Sequence, residues 1–274
     1  MAALPASTPV FAILSALVAG YAGLHYGLAE KDLFIERVSA RAVEAGFGSL
    51  LDYYYFLRYD AAGPAELDKL VEVLVVNETF FFRELEPLRL LVSQFVVPAV
   101  REGRRPRVWS AACSTGEEPL TLAMLLAEEG LLTKVDLVAS DISSRVLERA
   151  RAGRFSRRSL RHSTDQVLAR RWITEEPDGK LTVSAELRDA IDWRRMNLCD
   201  PSTAASMAPC DVILCRNVLI YFGDDALVRV LRNLADALAP DGALFVGISE
   251  SLLRFGNLLF CEERNQVFFY RKSS

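Results

Sequence analysis

The sequence predicts an α/β protein: a doubly wound, mainly parallel sheet finishing on antiparallel strands, with an all-helical N-terminal domain and a small inserted antiparallel β-subdomain. Three observations predict it. Residues 1–76 show apolar side chains at helical spacing only. From Val108 onward, apolar runs of strand length alternate with helical segments, the pattern of a sheet covered on both faces. Between them, Arg107 to Met124 (RVWSAACSTGEEPLTLAM) passes from a short apolar run through a small-residue turn into a helix. Open α/β sheets build a ligand crevice in this way at the carboxyl end of the first strand.

In the helical part, Phe11, Leu14, Leu17 and Val18 mark a first helix, and Leu33, Phe34, Val38 and Val43 a second. Gly46 and Gly48 stop the second, and Ser49 caps a third through LLDYYYFLRY. Ala61-Ala62-Gly63-Pro64 is expected as a turn, and Glu66 to Val76 as a fourth helix. The apolar stretch from Val10 to Leu28 reads as a buried helix of a soluble domain. It is too short for a membrane span, contains Gly20 and Gly23, and has no preceding lysine or arginine as a signal peptide would. Glu36, Arg37, Arg41 and Arg58 are expected on a solvated face. Next comes Asn77-Glu78-Thr79-Phe80-Phe81-Phe82-Arg83-Glu84, whose three adjacent rings suit neither an amphipathic helix nor an exposed loop. Its backbone is expected to be pinned by those rings, leaving two readings open: polar groups aimed at a site, or an interdomain plug with Arg83 in a structural ion pair.

The central stretch carries the ligand argument. A second strand, Lys134 to Ser140, ends on Asp141, 25 positions after Gly116. That is close to the roughly 20-residue offset at which a strand-end carboxylate meets a ribose diol. The turn lacks the G-x-G-x-x-G pattern, and Glu117 and Glu118 open the helix, where they would repel a pyrophosphate and accept an ammonium group. A cofactor with a ribose and a cation but no phosphate fits, and S-adenosylmethionine is such a molecule.

Further strands are expected at Asp192–Asn197, Asp211–Arg216 and Ala243–Ile248, with a helix at Ala226–Leu238 closed by Pro240-Asp241-Gly242. Leu258 to Arg271 holds two extended runs separated by Glu262 to Asn265, hence an antiparallel hairpin. Trp172-Ile173-Thr174, the Pro177-Asp178-Gly179 turn and Leu181-Thr182-Val183 spell the inserted hairpin, at about residues 170–190. Around it gather Arg151, Arg154, Arg157, Arg158, Arg161, Arg170 and Arg171, which suggest either an acidic partner or a solvated face.

Composition is that of a globular protein, 51% hydrophobic and 25% charged, and the net charge of −4 argues against a dedicated nucleic-acid binder. Five cysteines without a C-x-x-C pair and only two histidines point to a reduced, cytoplasmic protein with no metal and no membrane insertion.

Five motifs in register, NETFFFRE, WSAACSTGEEP, ASDIS, MNL and CRNVLIYF, resemble the CheR family, S-adenosylmethionine-dependent methyltransferases that esterify glutamates on bacterial chemoreceptors. The resemblance runs from about residue 10 to the end. It implies a helical domain over 1–76 and a Rossmann-like methyltransferase domain over 77–274 with an inserted β-subdomain. It also implies that Asn77, Thr79 and Arg83 face the cofactor or the transferred methyl, that Glu118 (or the adjacent Glu117) meets the cofactor's amino group and Asp141 its ribose, and that Asn197-Leu198 and Asn217-Val218 surround the adenine. Tyr221 resembles the position of a hydroxyl near the methyl acceptor. The implied products are glutamate methyl esters and S-adenosylhomocysteine, and the partner is the cytoplasmic helices of a methyl-accepting chemoreceptor, met by a monomer.

Elementary chemistry agrees, because a glutamate is already ionised at neutral pH and needs alignment rather than a general base. Arg83 suits that task as a positioner, and Arg83 and Tyr221 are the candidate catalytic residues. The sequence departs from the family at Gly247-Ile248-Ser249-Glu250, where a Gly-His-Ser-Glu-like run is usual, and in its first helices, where Lys31, Arg37 and Arg41 alternate with acids. The insert's compact turn points to docking without a receptor tether. A different reading is a non-catalytic module that binds S-adenosylmethionine or S-adenosylhomocysteine and signals; a small-molecule methyltransferase is disfavoured by the helical domain and the arginines.

Overall fold

The computed structural model describes residues 4–161, 165–255 and 258–272. They group into two compact units: residues 1–76 with 221–229, and residues 77–220 with 230–274.

The first unit contains α1 (Thr8–Ala22), α2 (Lys31–Glu44), α3 (Leu50–Tyr59) and α4 (Gly63–Leu74). Ser7 and Ser49 accept backbone N–H groups at the starts of α1 and α3, and Gly23, left-handed at φ 76°, closes α1. None of the helices among the described residues is long and apolar enough to cross a membrane. The expected turn at 61–64 is half helix: α4 starts at Gly63 because Pro64 suits a first helical turn. A Cβ on Gly63 would lie 2.5 Å from the Leu57 carbonyl oxygen, so only glycine lets α4 start there. Residues 221–229 join this unit through a bridge between Leu24 and Phe222 and a hydrogen bond from the His25 N–H to the Tyr221 carbonyl at 2.9 Å.

The expected solvated face of α2 turns partly inward. Arg41 donates from Nε and Nη2 to the two oxygens of Glu66 at 2.6 and 2.7 Å, the Tyr53 hydroxyl donates to Glu66 at 2.9 Å, and Arg37 donates to the Leu74 carbonyl at 2.9 Å. Burial alone would raise the Glu66 carboxyl, but its bonds from Arg41 and Tyr53 outweigh it and hold the group below the usual range.

In the second unit, α5 (Leu85–Leu91) and α6 (Val97–Arg101) flank a π turn at Val92–Val96, placed one turn ahead of Pro98, which has no N–H to give an ordinary helix. Then follow β1 (Arg107–Ala111), α7 (Glu117–Glu128), β2 (Asp136–Asp141), α8 (Ser144–Ala152), β3 (Arg154–Phe155), α9 (Gln166–Trp172), β4 (Ile173–Glu175), β5 (Leu181–Val183), α10 (Ala185–Asp189), β6 (Ile191–Arg195), α11 (Pro201–Met207), β7 (Cys210–Leu214), α12 (Asp224–Ala237), β8 (Leu238–Phe245), β9 (Leu259–Arg264) and β10 (Val267–Lys272). Seven strands form one Rossmann-like sheet in the order β6-β2-β1-β7-β8-β10-β9. Pairing is parallel from β6 to β8 and antiparallel on both sides of β10. The chain runs outward from β1 through β2 to β6, then returns to β7 beside β1, so the connections part above the carboxyl ends of β1 and β7. Such a switch point is where open α/β sheets hold ligands.

Three elements differ from the sequence reading. Pro240-Asp241-Gly242 does not end a helix before a strand but lies within β8, where the pairing with β7 skips register between Cys210 and Val212 and a Cβ on Gly242 would come 2.8 Å from the Cys210 carbonyl oxygen. The last hairpin turns at Asn265 and Gln266, both left-handed (φ 49° and 63°), so Glu262 and Glu263 belong to β9. The insert is three-stranded, β3-β5-β4, and Trp172 belongs to α9.

Replacing Glu66 by Ala takes the bidentate partner from the mostly buried Arg41 guanidinium and leaves it only the exposed Glu44, 2.9 Å from Nη1. Urea unfolding followed by helical circular dichroism is expected to show a loss of about 3 kcal/mol, most of it recovered when Arg41→Met and Glu66→Leu are combined. An unchanged midpoint for the single variant would show that the pair carries no weight.

Candidate functional site

The site grows from the turn after β1. Ala112, Ser114 and Gly116 all have positive φ (59°, 51° and 94°), which curls the chain back over the ends of β1 and β2. At Gly116 both conformation and space demand glycine, since a Cβ would meet the Ala150 Cβ at 2.8 Å and the Trp193 ring at 2.9 Å. The curl brings the Cys113 N–H to the Ser140 carbonyl and the Ser114 N–H to Asp141 Oδ2, each at 2.8 Å. Asp141 Oδ1 accepts from the Ser143 N–H at 3.0 Å. The Asp141 carboxylate is thereby oriented at the strand end, and a carboxylate is acceptor-only, which suits a pair of hydroxyls. The Ser114 hydroxyl donates to the Asn77 carbonyl at 3.2 Å, fastening the start of the NETFFFRE segment to the same turn.

The two acids opening α7 part company. Glu117 is 2% exposed and accepts hydroxyl hydrogen bonds from Thr115 (2.6 Å) and Ser159 (2.9 Å). Its burial pushes the carboxyl above the usual range. Glu118 accepts from the Ser110 hydroxyl at 2.7 Å and pairs with Arg216 Nη1 at 2.8 Å. Arg216, just past β7, has a side chain only 1% exposed. Its Nη2 reaches Glu84 Oε2 at 2.9 Å and the carbonyls of Arg83 and Glu84 at 3.0 and 3.2 Å. One guanidinium thus holds two carboxylates and two carbonyls, and the three side chains together carry a net charge of −1. At Glu84, burial works against ionisation, but Arg216, Asn217 and the Ile248 N–H outweigh it and hold the carboxyl below the usual range.

Arg83 itself sits on a strained turn, between Phe82 at φ 63° and Glu84 at φ 47°. Its side chain is 30% exposed, donates to the Glu78 carbonyl at 3.3 Å and lies 5.5 Å from the Phe80 ring centroid. The turn is anchored below by the buried rings of Phe81 and Phe82, by Phe81 N–H to the Ser159 carbonyl (2.9 Å) and by Phe82 N–H to the Thr121 hydroxyl (3.1 Å). Phe80 stays half-buried beneath Arg161, 3.8 Å from its ring centroid. Thr79 and Asn77 line one cleft with Thr115 and Glu117.

Beyond β7, Asn217 (φ 58°) gives its Nδ2 to Glu84 at 3.3 Å and its backbone N–H to Glu250 at 2.7 Å; Leu219 and Gly247 N–H groups bind Glu250 at 2.7 Å as well. Val218 lies between two of those donors and is half-buried. Ile248, where a histidine is usual in the resembling family, is 79% exposed and contributes only its N–H, 3.3 Å from Glu84. After β6, the Met196 N–H donates to the Asp141 carbonyl, Asn197 Oδ1 accepts from the Cys199 N–H at 3.0 Å, and Leu198 is buried with its carbonyl held by Asn233 at 2.9 Å.

Hydrogen bonds therefore join Asn77 through Ser114 to Asp141 and on to Met196, next to Asn197, and in a second group join Glu118, Arg216, the Arg83 carbonyl, Glu84 and Asn217, both at the ends of the central strands. Tyr221 belongs to the first unit. Arg216, Glu84 and Glu250 are structural centres that reading the sequence overlooked. Their only signal is a charge directly after an apolar run, as in DVILCR. Cys113 and Cys215 line the strand ends as thiols that burial pushes well up, so neither competes as a nucleophile. Among the described residues no three His, Cys, Asp or Glu side chains are grouped as metal ligands. The net anionic network, an acceptor-only carboxylate at the end of β2 and a turn with a single glycine fit a ligand that combines a cation with a ribose, and do not fit a pyrophosphate.

Comparison with known proteins agrees. The family described as CheR methyltransferase, SAM binding domain, matches residues 77–267. Chemotaxis protein methyltransferase 2 of Vibrio cholerae is 34% identical over 229 residues, covering 81% of this chain and 79% of that protein. The chemotaxis protein methyltransferase of Vibrio parahaemolyticus is 33% identical over 260 residues, 92% of each chain, and that of Escherichia coli is 34% identical over 247 residues, 88% of this chain and 84% of that one.

Glu117 supplies a pH test. Its folded carboxyl holds a proton more tightly than the unfolded one, so its contribution to stability is present below the ordinary carboxylate range and lost as pH rises through the folded value. Glu117→Gln keeps an acceptor for both hydroxyls without titrating. The melting temperature of the variant minus that of the parent is expected to grow between about pH 4 and neutrality. A difference independent of pH would mean that Glu117 titrates normally.

Proposed function

The chain belongs to the CheR methyltransferase family, and from that membership we propose that it transfers a methyl group from S-adenosylmethionine to glutamate side chains on the cytoplasmic helices of methyl-accepting chemotaxis receptors. A methyl ester and S-adenosylhomocysteine are the products, and the enzyme works as a cytoplasmic monomer. The observation that carries the reading is the Glu118–Arg216–Glu84 network, which places a net negative charge at the sheet's switch point and fastens the Arg83 turn to it.

When bound, S-adenosylmethionine supplies a methyl group made electrophilic by its sulfonium. The residues of this chain bind and align. Asp141 takes the ribose hydroxyls, and Asn197-Leu198 and Asn217-Val218 flank the base. Glu118 takes the ammonium group, with Asn77 and Thr79 beside it. Arg216, by donating from Nη1 to Glu118 Oε2, keeps that carboxylate in place without neutralising the whole cluster. An acceptor glutamate is ionised at neutral pH, so no base need be found for it. With the cofactor bound, the glutamate oxygen would take the methyl carbon, the electron pair of the broken carbon–sulfur bond leaving with sulfur. Arg83 holds the acceptor carboxylate in direction. Its 30% exposure suits a positioner, because a fully desolvated pair would quench the nucleophile. Tyr221 contributes a hydroxyl on the acceptor side.

Incubating a receptor cytoplasmic fragment with methyl-labelled S-adenosylmethionine is expected to give base-labile label on the receptor. Binding of S-adenosylhomocysteine with no transfer would instead favour a non-catalytic signalling module. Arg83→Ala is expected to lower kcat by about 100-fold, the scale of a lost alignment. Calorimetric affinity for S-adenosylhomocysteine should be largely kept, and Tyr221→Phe should show the same split less steeply. Parallel loss of affinity and rate would make Arg83 a cofactor ligand only.

A further inference from the structure

Positive charge is unevenly used in this acidic protein. On α2, Arg41 and Arg37 are spent on Glu66 and on a backbone carbonyl. A different concentration lies in the second unit, around a cleft of about 710 Å³ walled by Arg149 of α8, Arg154 of β3, Arg158 and Arg161 of the following turn, and Lys180 just before β5. Among the described residues that line the cleft, the carboxylates are Glu78 and Glu117, against these five cations. Burial favours the protonated form of Glu117. Glu78 is paired with Arg161 at 2.7 Å, while Arg154 and Lys180 share Asp178 at 3.0 and 4.0 Å. Arg149 and Arg158 are exposed and form no ion pair among the described residues. Gathering like charges around a concave surface raises their mutual repulsion and focuses the field into the cleft, and a bound anion relieves both.

We propose that this cleft is the docking surface for an acidic polypeptide segment of the protein acceptor, next to the glutamate that receives the methyl group. The inference rests on the methyl-transfer reading and deepens it. Asn77 and Thr79 line the same cleft, so a segment held by Arg149 and Arg158 runs up to the cofactor side of the NETFFFRE turn. The cations are spread over α8, β3, the turn at 157–161 and the approach to β5, which matches several carboxylates along a chain better than one compact anion. The aromatic residue in the cleft's described lining, Phe155, is buried and packs edge-on against Phe81, so it offers no open face on which a nucleotide base could stack.

The test uses the full chain and the variant Arg149→Glu/Arg158→Glu. Affinity for S-adenosylhomocysteine, read by calorimetry, is expected to be unchanged, which also shows the variant folded. With a receptor cytoplasmic fragment as acceptor, KM is expected to rise at least about tenfold at low salt, kcat at saturation to stay put, and the dependence of KM on sodium chloride to flatten. KM and salt dependence equal to the parent's would overturn the proposal. A direct arm separates it from the function reading: a fluorescent acidic receptor-helix peptide should bind the parent and not the variant, whether or not methyl transfer is detected. Equal binding to both, equal binding by a glutamine-substituted peptide, or displacement by millimolar inorganic phosphate as effective as by unlabelled peptide would also overturn it.

Discussion

The architecture of the site depends on how one buried cation is satisfied. Arg216 has lost nearly all contact with water, a cost of several kcal/mol for an ion unless paired and hydrogen-bonded. Its two terminal nitrogens are held by Glu118 from the start of α7, by Glu84 from the end of the phenylalanine-rich turn, and by two carbonyls of that turn, while the buried Nε has no partner among the described residues. Three segments far apart in sequence must therefore arrive together. The positive φ angles of Phe82 and Glu84, unfavourable for those residues, and of Asn217, which tolerates the left-handed region, are held by this network and by Glu250, which gathers three backbone N–H groups beyond β7.

The same constraint explains why the adjacent acids of α7 differ in character. Consecutive helical residues point about 100° apart. Glu118 thus faces the strand ends and a cation, while Glu117 faces the segment that leads into the inserted sheet and finds only hydroxyls. One remains a charge near the site, and the other is pushed toward its neutral form by burial.

Much of the α/β frame was legible in the sequence because its strands are buried on both faces and so read as unbroken apolar runs, and because turns such as Ser114-Thr115-Gly116 punctuate them. Asp141 was legible for the same reason, as the carboxylate ending an apolar strand. The two-residue strand β3 was not, since Arg154 and Phe155 carry no period, and neither was the turn at Asn265-Gln266, whose left-handed backbone depends on strand register rather than on glycine. Arg216 and Glu84 escaped for a deeper reason. An arginine after a strand reads locally as an emergence into solvent, and only partners 98 and 132 positions away make it an interior ion.

That distance dependence bears on catalysis as well as on folding. Arg83 makes no buried ion pair of its own: its closest carboxylate oxygen is 3.9 Å from Nε, and its firm contact is with a backbone carbonyl. Its direction is therefore set by the turn that carries it, and the turn is set by Arg216 below and by Phe81 and Phe82 in the core. A guanidinium held by its backbone rather than by a competing carboxylate keeps its donors available for an incoming anion. The energy that orients it is drawn from burial of two aromatic rings and one ion network, so in the proposed methyl transfer this guanidinium would already be aligned before an acceptor arrives.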